Sequence, residues 1–166
     1  MIVGGGNGHD LSRAFCAHCG RAPTRRVTRG GSPRLCERCS VGAILEAEPA
    51  AAPDGEPFII VDSSLRIAAV SERAEDLFSV YEHDARGRPV TDFVLRGDRH
   101  DRDAVNFVVA IADCFSSSKV HMAPGRLRHR PNLPVMLRIG ACTSPRAALV
   151  VFAEVGDAAP PVGLAN

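Results

Sequence analysis

Apolar residues recur with two different periods between Phe58 and Val155. Phe58-Ile59-Ile60-Val61 is an apolar strand closing at Asp62, Ser63-Ser64 turn, and Arg66 to Val70 form a second strand, so 58–70 predicts a hairpin. Ser71 then stands where it caps a helix, with Glu72 and Glu75 near the positive end, and Ala74, Leu77, Phe78 and Tyr81 fall on one helical face. Gly87 and Pro89 mark a turn before a short helix near Val90 to Leu95. Asp101 to Phe115 reads as a longer helix, apolar around much of its circumference and therefore buried on two sides or lining a cavity. Three strands follow: Val120 to Arg128 with an interruption at Pro124-Gly125, alternating Val135 to Cys142, and Ala147 to Phe152 after a turn at Ser144-Pro145-Arg146. Helices bunched between strands two and three predict an α+β fold with one antiparallel five-stranded sheet.

A different pattern precedes this region. Cys16-Ala17-His18-Cys19 and Cys36-Glu37-Arg38-Cys39 are two CxxC pairs with sixteen residues between them. Two intervening residues let a tight turn aim both sulfurs at one ion, and two such turns complete a tetrahedron, so Cys16, Cys19, Cys36 and Cys39 are the candidate zinc ligands. Disulfides are disfavoured in a reducing compartment, and a thioredoxin-like motif uses one CxxC in a larger α/β setting. Four protein thiolates leave no open coordination position, which points to structural Zn²⁺. His9 and His18 are then read as surface residues. Gly30-Gly31-Ser32-Pro33 predicts a hairpin-like turn, and 40–47 reads as a helix opening at the second knuckle. This order resembles a treble-clef zinc finger, with a zinc ribbon as the alternative. Cys114 and Cys142 stand apart and read as small buried hydrophobes.

Composition adds boundaries. A 45% hydrophobic and 23% charged chain is neither disordered throughout nor a coiled coil, and no apolar run reaches the roughly 18 residues of a membrane span. These features, with no secretory leader, predict a cytoplasmic protein with no membrane partner. The formal net charge of +1 conceals an uneven distribution. Residues 13–38 hold Arg13, Arg21, Arg25, Arg26, Arg29, Arg34 and Arg38 against Glu37 alone, a formal +6 that a zinc–thiolate centre lowers to roughly +4. Such a surface suits nucleic-acid phosphates, although no aromatic side chain interleaves it for base stacking. The proline- and alanine-rich stretch 48–57 reads as a linker. The predicted organisation is a flexible tail at 1–12, a Zn(Cys)4 finger at 13–47, the linker, a domain at 58–155 and a second tail at 156–166.

Phe58-Ile59-Ile60-Val61-Asp62, Arg66-Ile67, the run Val70-Ser71-Glu72-Arg73-Ala74-Glu75-Asp76-Leu77-Phe78 and the turn Gly87-Arg88-Pro89, in that order, resemble a PAS domain over roughly 57–156. Ser71 and Ser79 replace that family's usual Asn and Gly. The resemblance implies a sensory or dimerisation module with a protein partner or a second copy, and a pocket whose ligand it leaves unknown or absent. It also sets tests that count against two cofactors. The turn Pro89-Val90-Thr91-Asp92-Phe93 lacks the cysteine of flavin photosensors, and no histidine lies on the long helix for haem, since His100 only precedes it and His83, His121 and His129 fall elsewhere. No residue is assigned to catalysis or cofactor binding: hydrolase, nucleotide-loop and kinase signatures are absent, and Asp98, Asp101 and Asp103 among arginines read as a solvated helix start. The functional expectation is a non-enzymatic signalling or regulatory protein whose finger contacts a partner. The alternatives are a nucleic-acid-binding transcriptional regulator using the arginines, and a small-molecule binder with a purely structural zinc module.

Overall fold

A computed structural model of the chain describes residues 12–24, 35–96, 106–143 and 146–155. Among them the elements run β1 (Arg13–Cys16), β2 (Ile44–Ala47), β3 (Phe58–Val61), β4 (Ile67–Val70), α1 (Glu72–Phe78), α2 (Glu82–Ala85), a 3-10 turn (Val90–Asp92), β5 (Val94–Arg96), α3 (Phe107–Asp113), β6 (His121–Leu127), β7 (Arg130–Thr143) and β8 (Ala147–Val155). All eight strands belong to one antiparallel sheet that curves into a half-barrel. The 14-residue β7 is its spine. One edge of β7 carries β8, then β3 and β4. The opposite edge is shared lengthwise: β6 takes Arg130 to Ile139 and brings β5 with it, while β2 takes Cys142 and Thr143 and brings β1.

This is not the expected fold class. The PAS-like α+β arrangement of five strands with inserted helices is overturned by an eight-stranded sheet in which strand (42%) far outweighs helix (18%). Three local readings fail for identifiable reasons. Residues 40–47 form no helix: Ser40 sits at φ 57, and burial from Ile44 to Ala47 alternates with period two, which makes β2. The helix expected near Val90 to Leu95 is one 3-10 turn followed by β5, whose residues Val94 to Arg96 pair with Gly125 to Leu127. Pro124-Gly125 does not interrupt β6. Pro124 pairs with Met136 of β7 and lies beyond the stretch that β5 covers, so on the β5 side no partner requires its missing N–H. Of the longer helix, α3 is seen from Phe107, capped by the Asn106 side chain; 101–105, His100 and Asp98 lie outside the described residues.

The helices still do what an amphipathic pattern requires. Ser71 accepts from the Ala74 amide at 3.3 Å and from the Phe58 amide at 3.0 Å, so one hydroxyl caps α1 and ties it to β3. Ile59, Val61, Ala148, Val150 and Phe152 face this helical side with Leu137 and Ile139, making the larger core. Their neighbours Phe58, Ile60, Ala147, Leu149 and Val151 point to the other face, and a second core forms there. β1 and β2 supply its cover through Phe15, Leu45 and Ala47, with the Phe15 and Phe58 rings edge to face at 5.5 Å.

The proline/alanine segment lies on this second face. Ala51 and Ala52 are buried, and a Cβ added to Gly140 would come within 2.5 Å of the Ala51 Cβ. Arg138 reaches Glu56 at 3.1 Å and the Ala52 carbonyl at 3.0 Å, Arg13 reaches Asp54 at 2.8 Å, and Arg73 donates to the Gly55 carbonyl. Burial disfavours ionised Glu56, yet amide donors from Asp54 and its own backbone, together with Arg138, prevail and hold its carboxyl below the usual range. Replacing Gly140 by Val should therefore lower stability by about 1–3 kcal/mol through overpacking and expose 48–57 to proteolysis. Urea unfolding and limited digestion, compared with the parent chain, measure both effects.

Candidate metal centre

Cys16 ends β1 and Cys36 follows the bridge residue Leu35, and both CxxC turns reverse direction by the same device. The Gly20 amide donates to the Cys16 carbonyl at 3.0 Å, and the Ser40 amide to the Cys36 carbonyl at 2.8 Å. Both donors sit at positive φ, 71° for Gly20 and 57° for Ser40. The turns aim backbone amides at sulfur: His18 and Cys19 donate to Cys16 Sγ at 3.4 and 3.5 Å, Arg38 to Cys36 Sγ at 3.4 Å, and Gly42 to Cys39 Sγ at 3.5 Å. Such donors favour the thiolate that a metal requires.

The knuckles converge. All four sulfurs of Cys16, Cys19, Cys36 and Cys39 lie within 4.8 Å of one another, with Cys16–Cys39 at 3.6 Å and Cys19–Cys36 at 3.9 Å. Tetrahedral zinc with bonds of about 2.3 Å sets sulfurs about 3.8 Å apart, so the spacing fits the ion. Without a cation the site is electrostatically frustrated. Burial pushes the Cys16 thiol up to about 12 and raises Cys19 as well. Burial also opposes the Cys39 thiolate, but the Gly42 and Val41 amides and the neighbouring thiols overcome it and bring Cys39 down to about 6. A bound dication supplies the charge that lets the other sulfurs ionise.

The site is fastened to the sheet at two points. The Glu72 amide, first in α1, donates to the His18 carbonyl at 2.9 Å. A Cβ on Gly20 would sit 3.1 Å from Phe58 Cε1, which places the first knuckle directly on that ring. Between the knuckles Gly42 has no spare room: a Cβ there would lie 2.4 Å from Cys16 Sγ and 2.7 Å from the His18 amide nitrogen.

The four cysteines predicted from spacing are the ones brought together. His18 is not in the cluster, and it is half-buried rather than at the surface, with Nδ1 enclosed and without a hydrogen-bond partner; His9 lies outside the described residues. Cys114 and Cys142 are fully buried, and burial lifts both thiols to about 11. His121 is engaged with Asp113 at 2.9 Å and His83 stacks on Tyr81. Arg13, Arg21 and Arg38 of the basic segment are described, while Arg25, Arg26, Arg29, Arg34 and the turn at 30–33 are not. Sequence reasoning missed Gly42 and the Phe58 seat; a glycine three residues after a ligand cysteine was the available signal for the first. No helix among the described residues is long and apolar enough to cross a membrane.

Comparison with known proteins adds nothing to this geometry: no protein-family model matches the chain, and neither do curated proteins or solved structures. The sequence resemblance to PAS domains thus has no counterpart there.

Two outcomes are expected. Zinc uptake by the metal-free chain at pH 7 should release at least two protons, from Cys16 and Cys19, and weaken as pH falls because protons compete for the sulfurs. Calorimetry in buffers of different ionisation enthalpy counts them. Gly42→Ala should weaken zinc binding about 10–100-fold by displacing an amide donor and Cys16, as read by competition with a chromogenic chelator.

Proposed function

We propose that the chain is a non-enzymatic regulatory protein that acts through contacts with a protein partner, and that zinc serves it as a structural ion. Four thiolates satisfy a tetrahedral zinc completely, leaving no position at which a substrate or an activated water would bind. The ion's work is to hold two turns in register with a sheet whose second face they help to cover.

The observation that carries the reading is the asymmetry of the two knuckles. The first is pressed against Phe58 and the start of α1. The second turns outward, with Leu35 64% and Val41 63% exposed on either side of Cys36-Glu37-Arg38-Cys39. Leu35 is bridged to Ala43, which closes the second knuckle into a small hairpin presenting both apolar side chains. Isolated apolar residues at a surface are ordinary, but two on one metal-rigidified turn form a preorganised contact that loses little conformational entropy on binding.

A photo-crosslinking amino acid placed at Val41 in living cells tests this. The reading requires a discrete crosslinked protein at Val41 that disappears when Cys39→Ser removes a ligand. Labelling at Val41 no more specific than at the exposed Tyr81, which follows α1, would defeat it.

A further inference from the structure

Beside the first knuckle is a cleft of about 380 Å³ that the zinc reading does not use. Its walls come from β1, both knuckles, the 53–55 turn and the start of α1, and its charged side chains are Arg13, Arg21, Arg38 and Arg73 with Asp54 and Glu72. The arginines differ in what they already hold. Arg13 has one nitrogen on Asp54 at 2.8 Å and Arg73 one on the Gly55 carbonyl, so each keeps further N–H donors. Arg21 and Arg38 have no side-chain hydrogen bond or ion pair among the described residues.

We infer that this cleft binds a phosphate group, clamped by Arg21 and Arg38 and completed by the spare donors of Arg13 and Arg73. A guanidinium offers a planar fork that matches phosphate oxygens two at a time. Four forks around one cleft offer more donors than the two oxygens of one carboxylate accept, whereas a free or terminal phosphate presents three or four oxygens and a polynucleotide presents successive phosphates. Net charge is not the driving force. The zinc–thiolate centre, Asp54 and Glu72 together offset the four arginines, so recognition rests on directed bonds and free phosphate binds weakly. The inference rests on the zinc reading only for the placement of Arg21 and Arg38.

The test is calorimetric titration of the zinc-loaded 166-residue chain with inorganic phosphate, with ADP, and with a single-stranded DNA 12-mer at two salt concentrations. Phosphate is expected to bind, and Arg21→Ala or Arg38→Ala to weaken it about tenfold each. Lysine at either position should restore part of the loss, and Arg86→Ala, just after α2 and outside the cleft lining, should change nothing. Tighter binding of the 12-mer with a steep salt dependence assigns the phosphate to a polynucleotide, and tighter binding of ADP assigns it to a nucleotide. Failure of all three probes to bind, wild-type affinity in the two alanine variants, or stronger binding of a polyglutamate peptide than of the phosphate probes would overturn the inference. Zinc content of every variant separates the causes: lost phosphate binding at full zinc concerns the cleft, and lost zinc concerns the metal centre.

Discussion

Strands β3 and β8 are apolar at every described side chain, and alternate side chains along a strand face opposite ways. That constraint governs the molecule. A strand of this kind has no face to offer water, so the sheet needs a layer on each side. On one side α1, α3 and the paired strands β5 and β6 provide it. On the other there is no helix among the described residues, and the cover is the β1–β2 hairpin with Ala51 and Ala52 behind it. This second layer is thin and short of large side chains, Phe15 and Leu45 being its bulkiest members.

The four cysteines bear directly on this thin layer. A hairpin of two four-residue strands is marginal in water by itself. Clamping the end at which β1 leaves and β2 begins around one ion would supply the stability that its small apolar area does not. The clamp then reaches the main sheet through Phe58, which meets the Phe15 ring and the Gly20 backbone, and through the bond from the Glu72 amide to the His18 carbonyl. An ion held by the four cysteines would therefore make hairpin and sheet mutually dependent parts of one core. The exposed side chains of the same clamp, Leu35 and Val41, are left for contact.

Legibility in the sequence followed the range of the interaction. The four ligands were readable because a CxxC turn is a local object, fixed by two intervening residues whatever surrounds it. The β3–β4 hairpin and the Ser71 cap were readable for the same reason. Residues 40–47 were misread because Ala, Ile, Leu and Glu tolerate a helix, and the pairing that makes them β2 involves Arg13 to Cys16, some thirty positions earlier. Val94 to Arg96 were misread likewise, since their partners are Gly125 to Leu127. The uninterrupted apolar runs at 58–61 and 147–152 did carry a signal of burial on both faces. Followed through, that signal demands a second layer.

By itself, then, the sequence determined where a metal would be held, which segments would turn, and which strands could never face solvent. Tertiary structure decided that the cysteine hairpin joins the end of β7, that β5 is a strand, and that eight strands form one curved sheet instead of a five-stranded one with a separate module. The physical reason is the reach of the forces involved. Turn geometry, capping and thiolate spacing act within a few residues, whereas strand pairing is settled only when distant backbone donors and acceptors compete for the same edge, here the two ends of β7.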